Sequence, residues 1–155
     1  MGRILAIDYG ERRVGLALSD ETGFVAARVL ETIDRQKIPG GSLEEEISRI
    51  TEEHSVVEVV VGLPLNMDGS AGESAQKVIR FAESLGRRTG LPVRTWDERL
   101  TTVAARRVHL ELNLPLKKRR DKKRLDRTAA LILLQNYLNY RSLSGSQSDN
   151  KQANE

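Results

Sequence analysis

Residues 56–64, VVEVVVGLP, restrict the possible folds of this chain more than any other segment, because valine fills five of the first six positions. β-Branched side chains favour strands, and an unbroken run of them is typical of a strand that is buried on both faces, as in parallel sheets. A sheet that contains such a strand has helices packed on both sides. The segment therefore predicts an α/β protein.

The flanking segments predict the rest of the architecture. Three short apolar segments separated by turn residues indicate an antiparallel meander at 3–8, 14–19 and 24–32. Ser42 and Glu45 form a capping box that begins a helix, and apolar periodicity predicts a second helix over 73–89. A fifth strand is expected at 93–97, then a helix from Thr101 or Thr102 to about 112, and a buried helix over about 125–140.

This order predicts a five-stranded mixed sheet, with three antiparallel strands followed by parallel strands and with helices on both faces. Length favours one domain, which we place at 1–141, and the polar segment 142–155 is expected to be a disordered tail. The chain has no cysteine, which excludes disulfide scaffolds and cysteine-ligated zinc sites. There is no apolar run of the ~20 residues that a membrane span needs and no signal-peptide pattern, so we expect a soluble cytoplasmic protein without a membrane partner.

Positive charge is concentrated in residues 117–127, where eight basic and two acidic residues give +6 in a chain of net charge +3. Such a segment predicts an anionic polymer as partner, although a solvated surface loop would have the same composition. The nucleic-acid-binding candidates are Lys117, Lys118, Arg119, Arg120, Lys122, Lys123 and Arg124. Aromatic residues make up only 4% of the chain, which favours recognition of the phosphate backbone over base stacking.

Two carboxylates follow predicted strands. Asp8 ends the first strand, with Gly10 beside it to let a ligand approach the backbone, and Glu98 follows the fifth strand next to Asp97. Ligands of such sheets bind at the carboxyl ends of the parallel strands. The alternatives are that Asp8 only shapes a turn and that the acids complement a helix dipole, which suits Asp97 better.

A third carboxylate, Asp126, opens the last predicted helix one turn before Ala129 and Ala130. Its helix face is expected to lie against the sheet, although Asp126 could also pair with Arg127 or Lys122. Three carboxylates at one edge suit Mg²⁺ or Mn²⁺, and two such ions can activate a water and stabilise the leaving oxygen of a phosphodiester.

The loop at 62–72 is rich in glycine and polar residues. Gly62, Asn66 and Gly69 could present backbone N–H groups to a phosphate, although a flexible connection is an equal reading. Thr101 or Thr102 could orient a carboxylate or a phosphate oxygen. Tyr9 could stack on a base or simply pack.

The segments DYG, RVGLALSD, VVVGLPLNMDGS, WDERLTT and LDRTAALILLQNYL together resemble the YqgF/RuvX family over roughly residues 3–140. Members of this family have the ribonuclease H-like fold and are described as Holliday junction resolvases and as nucleases that mature the 5′ end of pre-16S ribosomal RNA. The resemblance implies that Asp8, Glu98 and Asp126 bind the metal of an endonuclease. It implies precursor rRNA or branched DNA as substrate, and the ribosome as a further partner.

Two other functions remain open at this point. Asp-x-Gly before a strand-turn-strand also begins the phosphate site of actin-like and sugar-kinase-like ATPases, but those proteins enclose ATP between two domains and 155 residues supply one. A non-catalytic nucleic-acid- or ribosome-binding module, in which the acids are structural, is the other alternative. The sequence does not distinguish a monomer from a homodimer.

Overall fold

The computed structural model describes residues 2–38, 40–100 and 129–143, and the observations below refer to these ranges. The strands are β1 (Arg3–Asp8), β2 (Arg13–Ser19), β3 (Ala26–Val29), β4 (Ile33–Asp34), β5 (Val56–Leu63) and β6 (Val93–Asp97). The helices are α1 (Leu43–Glu53), α2 (Glu73–Thr89) and α3, whose described part covers 129–143. Short 3-10 turns follow β4 at Arg35–Lys37 and β6 at Glu98–Leu100.

The strands form one mixed sheet in the order β3-β2-β1-β5-β6, and the two-residue β4 pairs with β2. Strands β1, β5 and β6 run parallel, whereas β2 is antiparallel to β1, β3 and β4. The predicted mixed sheet is confirmed, with six strands instead of five: the strand predicted at 24–32 is shortened to β3, and the two-residue β4 follows it at Ile33–Asp34. Since β1, β5 and β6 are adjacent and parallel, their carboxyl ends meet at one edge of the sheet.

Both faces of the sheet are covered by helices, as the valine run predicts. Leu5, Ile7 and Val61 belong to the core cluster that contains residues of α1 and α2, whereas Ala6 and Val60 belong to a cluster with Ala130, Leu133 and Leu134 of α3. We call these two sides the α1/α2 face and the α3 face. Successive strand residues alternate between the two faces, so β1 and β5 are buried on both.

Local capping explains why the predicted limits of α1 and α2 agree with the structure. The Ser42 hydroxyl accepts a hydrogen bond from the Glu45 backbone N–H at 3.2 Å and thereby caps the start of α1. Gly90 ends α2 in the left-handed region at φ +70°, and its N–H donates to the Gly86 carbonyl at 2.9 Å. Both helices bury the predicted apolar stripe.

The turn before β3 explains why that strand begins later than predicted. The Asp20 carboxylate accepts hydrogen bonds from the Thr22 hydroxyl and from the backbone N–H groups of Gly23, Phe24 and Val25. These bonds hold residues 20–25 in a turn, and the side chains of Phe24 and Val25 are exposed. Strand pairing therefore starts at Ala26.

Helix α3 continues to residue 143, beyond the predicted helix end near 140 and domain boundary at 141. Several predicted features lie outside the described residues: the helix from Thr101 or Thr102, the basic segment at 117–127, and residues 144–155. Within the described ranges, no helix combines the length and hydrophobicity that crossing a bilayer requires.

Candidate functional site

The structure brings two of the predicted carboxylates to the same edge of the sheet. Asp8 is the last residue of β1, and Glu98 follows β6 directly. The strand between them is β5, whose Val61 pairs with Ile7 of β1 and whose Gly62 pairs with Trp96 of β6. Asp8 and Gly62 alternate with Ala6 and Val60, so both point towards the α3 face.

Gly62 makes room for the Glu98 carboxyl group. A Cβ atom built on Gly62 would lie 2.6 Å from Glu98 Oε1 and 3.3 Å from its Cδ, which is closer than van der Waals contact allows. The carboxyl group therefore occupies the space that a side chain would fill at position 62. This contact places Glu98 on the α3 face, on the same side as Asp8.

The pKa of Glu98 is raised above its ordinary value. The main cause is burial of the carboxyl group, although much of the residue is exposed, and the negative charges of Asp8 and Asp97 add to it. Asp8 and Glu98 lie at the same edge of the sheet and on the same face, which is why the charge of Asp8 contributes to this shift. A shared divalent cation would offset both the burial of charge and the repulsion. Asp8 and Glu98 therefore fit one side of a metal site.

The neighbouring acid, Asp97, is hydrogen-bonded to Arg99. Its carboxylate accepts hydrogen bonds from the Arg99 backbone N–H at 2.9 Å, from Nε at 3.1 Å and from Nη2 at 2.8 Å. These bonds lower the pKa of Asp97, with the Arg99 side chain as the largest cause. Asp97 thus caps the 3-10 turn, as expected for a helix-start acid, while the Glu98 carboxyl group lies against Gly62 on the same face as Asp8.

Arg99 also fixes the loop between β5 and α2. Its Nη1 donates to the Met67 carbonyl at 3.3 Å, and the guanidinium passes the left-handed Gly69. The loop therefore lies over the carboxylate edge, held by the residue that neutralises Asp97. The role of Arg99 could not be recognised from the sequence, because Arg99 follows two acids in a charged segment that is typical of solvated residues.

The prediction that backbone N–H groups of the glycine-rich loop bind a phosphate is wrong for the three residues on which it was based. Gly62 lies within β5 and not in the loop. The Asn66 N–H donates to the Ser70 carbonyl at 3.0 Å, and the Gly69 N–H donates to the Asn66 carbonyl at 2.9 Å. Both groups are used inside a tight turn, which the Asn66 amide reinforces through the Ser70 hydroxyl.

The structure gives Gly10 and Tyr9 contacts within the chain: a close backbone approach at Gly10 and ring packing at Tyr9. A Cβ on Gly10 would collide with the Arg13 carbonyl oxygen, so the close backbone approach there comes from the chain itself. The Tyr9 ring packs 4.7 Å from the Phe81 ring, with the Arg35 guanidinium 5.0 Å from its centroid. Tyr9 is thus a packing residue, which was the alternative to base stacking.

The third predicted carboxylate, Asp126, lies outside the described residues, as do Thr101, Thr102 and the basic residues from Lys117 to Arg124. Among the residues that the structure describes, no group of three His, Cys, Asp or Glu side chains could bind a metal ion. The described site is therefore the pair Asp8 and Glu98.

A protein-family model and several sequence relatives match most of this chain. The family model described as "RuvX: Holliday junction resolvase" matches residues 2–140. A protein of Halothermothrix orenii named "Putative pre-16S rRNA nuclease" is 45% identical over 140 residues, which covers 90% of this chain and 96% of the relative. A protein of Clostridium novyi with the same name is 43% identical over 136 residues, covering 88% and 97%.

Solved structures of RuvC share the fold. RuvC of T. thermophilus in complex with a Holliday junction substrate superposes with a TM-score of 0.64 and 13% identity, covering 93% of this chain and 97% of RuvC. A second Thermus thermophilus RuvC structure gives a TM-score of 0.57 and 14% identity, covering 92% and 96%. The predicted ribonuclease H-like architecture is thereby confirmed.

Proposed function

Since this chain belongs to the RuvX family, we propose that it is a metal-dependent endonuclease that hydrolyses phosphodiester bonds of structured nucleic acid. The observation that carries the proposal is the Glu98 carboxyl group seated on Gly62 beside Asp8, at the carboxyl edge of three parallel strands. Neighbouring carboxylates repel each other, and a divalent cation bound between them would offset that repulsion. Family membership supplies the reaction class.

We propose that Asp8, Glu98 and Asp126 hold Mg²⁺ or Mn²⁺. Asp126 precedes Ala130 by four residues, and Ala130 is fully buried on the α3 face, where Asp8 and Glu98 also lie. Tyr137 and Arg141 contact Glu58 near the start of β5, so the earlier turns of α3 run towards the opposite, carboxyl end of that strand. This direction supports a place for Asp126 at the same edge.

The bound cations would polarise the scissile phosphate and lower the pKa of a coordinated water. The chain's own residues have three tasks in this reaction. Asp8 and Glu98 supply hard oxygen ligands from rigid strand ends, Gly62 leaves the space that fixes Glu98, and Arg99 keeps Asp97 out of the site. The basic residues of 117–124 are proposed to hold the phosphate backbone beside the carboxylates.

We favour precursor 16S rRNA as the substrate, because relatives that cover 88–90% of this chain are named for that reaction. Branched DNA is the second candidate, since the family description names Holliday junction resolvase. A resolvase cuts two symmetric strands and needs two copies of the site, so a dimer in solution would favour the junction. Both substrates are intracellular, and a cytoplasmic location is part of the proposal.

The test is a side-by-side cleavage assay with Mn²⁺, using a pre-16S RNA that carries the 5′ extension and a four-way DNA junction. We expect the wild-type protein to cleave at least one of them and Asp8→Asn to lose cleavage while retaining nucleic-acid binding. Full cleavage by purified Asp8→Asn, or cleavage that is unchanged in EDTA, would contradict the proposal. Binding without cleavage by the wild type would instead favour the non-catalytic module.

A further inference from the structure

A cavity of about 380 Å³ opens on the α3 face between β6 and the last turns of α3. Its volume lies in the range of roughly 300–1,000 Å³ that is usual for ligand sites. The residues that line it include Glu58, Arg94, Trp96, Tyr137, Tyr140 and Arg141. None of them has a part in the reaction described above.

A buried carboxylate organises the charge of this cavity. Glu58 accepts hydrogen bonds from Arg94 Nε and from Arg141 Nη1, each at 3.0 Å, and from the Tyr137 hydroxyl. The two guanidiniums exceed the one carboxylate by one positive charge. Each guanidinium has five N–H donors in a planar fork, and the bond to Glu58 uses only one nitrogen of each. The Arg94 and Arg141 side chains are 65% and 53% exposed, so the rest of each fork can reach a ligand from solvent.

Aromatic rings form the other wall of the cavity. The Trp96 ring lies 5.0 Å from the Tyr140 ring and 5.7 Å from the Tyr137 ring, and Tyr140 is 57% exposed. The chain contains only one Trp, three Tyr and two Phe, and the Trp and two of the Tyr are gathered here. An exposed ring beside arginine forks is the combination that stacks on an unpaired base and binds its phosphate.

The cavity lies on the same face of the sheet as the carboxylate edge. Trp96 and Arg94 precede Glu98 by two and four residues, and β6 ends at Asp97, so at ~3.3 Å per residue their backbones lie within about 7 and 13 Å of Glu98. Trp96 packs in the core cluster of the α3 face, on the side where the Glu98 carboxyl group contacts Gly62. A nucleic-acid strand leaving the carboxylates along β6 would enter the cavity.

We propose that this cavity binds one unpaired nucleotide of the strand being cleaved, with its base against Tyr140 and a phosphate on the Arg94 and Arg141 forks. The proposal rests on the proposed nuclease function and narrows its substrate to nucleic acid with a single-stranded segment next to the scissile bond. A base inside a double helix has both faces stacked and cannot occupy the site. Single-stranded RNA and DNA share the required chemistry.

Trp96 provides a direct measurement because it is the only tryptophan in the chain. We would titrate Asp8→Asn protein in EDTA, so that no cleavage interferes, with short oligouridine, short oligothymidine and a blunt RNA duplex. The expected result is saturable quenching of Trp96 fluorescence by the single strands and weaker quenching by the duplex. A higher affinity for oligouridine than for oligothymidine would identify RNA as the source of the nucleotide, and the reverse would identify DNA.

The variants separate stacking from charge. Tyr140→Ala should weaken binding of the single strands about tenfold or more, whereas Tyr140→Phe should retain it, since loss of one base–aromatic stack has about that effect. Arg94→Gln should reduce the slope of log affinity against log salt by about 0.7, the value for one phosphate contact on a single strand. Arg87→Ala is the matched control, because Arg87 is an exposed arginine on α2, across the sheet.

Equal affinity of Tyr140→Ala and its parent for the single strands would overturn the proposal, provided that the melting temperatures agree. If Tyr140→Ala does not fold, an unchanged salt slope in Arg94→Gln overturns it in the same way. Loss of a protein partner in Tyr140→Ala with unchanged oligonucleotide affinity would assign the cavity to protein binding and also overturn it. Because binding is measured without metal, failure of the nuclease assay and failure of this site are separate results.

Discussion

Glu98 is the residue whose ionisation matters most to the site. Its pKa is raised by burial and by the charges of Asp8 and Asp97, so ionising it costs more in the folded protein than in the unfolded chain. The folded state therefore loses stability as the pH rises from the ordinary glutamate pKa through the raised one. A divalent cation that binds the folded protein should restore this stability.

Glu98→Gln tests this relation. In EDTA at neutral pH we expect the variant to melt at a higher temperature than the wild type, because the buried charge and its repulsion are gone. Added Mn²⁺ should raise the melting temperature of the wild type and have little effect on the variant. Equal responses of both proteins to Mn²⁺ would show that Glu98 is not a ligand.

Gly62→Ala is the sharpest single-residue test of the site geometry. The added Cβ would lie 2.6 Å from Glu98 Oε1, so the flexible glutamate must move and the fold should change little in stability. A displacement of about 1 Å in a catalytic group can cost about 100-fold in rate, and we expect a loss of that size in cleavage.

Gly86→Ala is the control for this substitution. Its Cβ would meet Val93 Cγ2 at 3.7 Å, an ordinary contact, inside helix α2. We expect cleavage to be unchanged and stability to rise by about 0.4–1 kcal/mol, as for glycine replacement in a compatible conformation. A similar loss of cleavage in both variants would mean that the effect is not specific to Glu98.

Among the secondary-structure elements, the β5–α2 loop depends most on one side chain. Arg99 joins the Asp97 carboxylate to the Met67 carbonyl, so the loop is fixed to the turn that carries Glu98. Met67 itself is 95% exposed. Among the described contacts, the hydrogen bond from Arg99 to the Met67 carbonyl is what connects it to this turn.

Arg99→Ala should therefore release the loop. We expect proteolysis within 64–72 to become several-fold faster, and the pKa of Glu98 to rise further because Asp97 loses its cation. Arg99→Lys keeps the charge but not the planar fork, so it should restore the pKa and not the protection from proteolysis. Unchanged proteolysis in Arg99→Ala, measured against Arg87→Ala, would show that the loop is held by other contacts.

Element limits could be predicted where a local signal fixes them. Ser42 and Gly90 mark the start of α1 and the end of α2 through their own capping geometry, and the sequence shows both. The late start of β3 could not be predicted, because it depends on how the Asp20 carboxylate accepts hydrogen bonds from three backbone N–H groups. The sequence does not distinguish a loop Asp that accepts several backbone hydrogen bonds from one whose carboxylate is solvated.

Part of the candidate site could likewise be predicted from local sequence signals. Strand ends place Asp8 and Glu98 at one edge, which the order of elements already implies. The seat that Gly62 forms for Glu98 depends on the register between β5 and β6, and the aromatic cavity depends on the contact of β6 with α3. Both arise from residues far apart in sequence, for which pattern analysis has no signal.

For the molecule as a whole, Glu58 connects the sheet to α3. The Tyr137 hydroxyl donates to this carboxylate, and burial together with the nearby charge of Glu58 raises the pKa of Tyr137 to about 12. The stability from this bond is fully present below the ordinary tyrosine pKa of 10.0 and is lost as the pH rises through about 12.

Tyr137→Phe should reveal this contribution. Near neutral pH, urea unfolding should show a loss of about 1.5–3 kcal/mol, the usual effect of removing a hydrogen bond to a charged group. Above pH 10 the difference between the two proteins should shrink, because the wild type loses the same bond. A difference that stays constant with pH would place the stabilisation elsewhere.

Asp8 ends the first strand of the sheet and Glu98 follows the last, which has a consequence during synthesis. β1 is made first, but β6 is complete only about ninety residues later, and the two are joined solely through β5 between them. A nascent chain that has exposed β1 alone contains Asp8 but not Glu98. The proposed pair of metal ligands therefore cannot assemble until translation has passed Glu98.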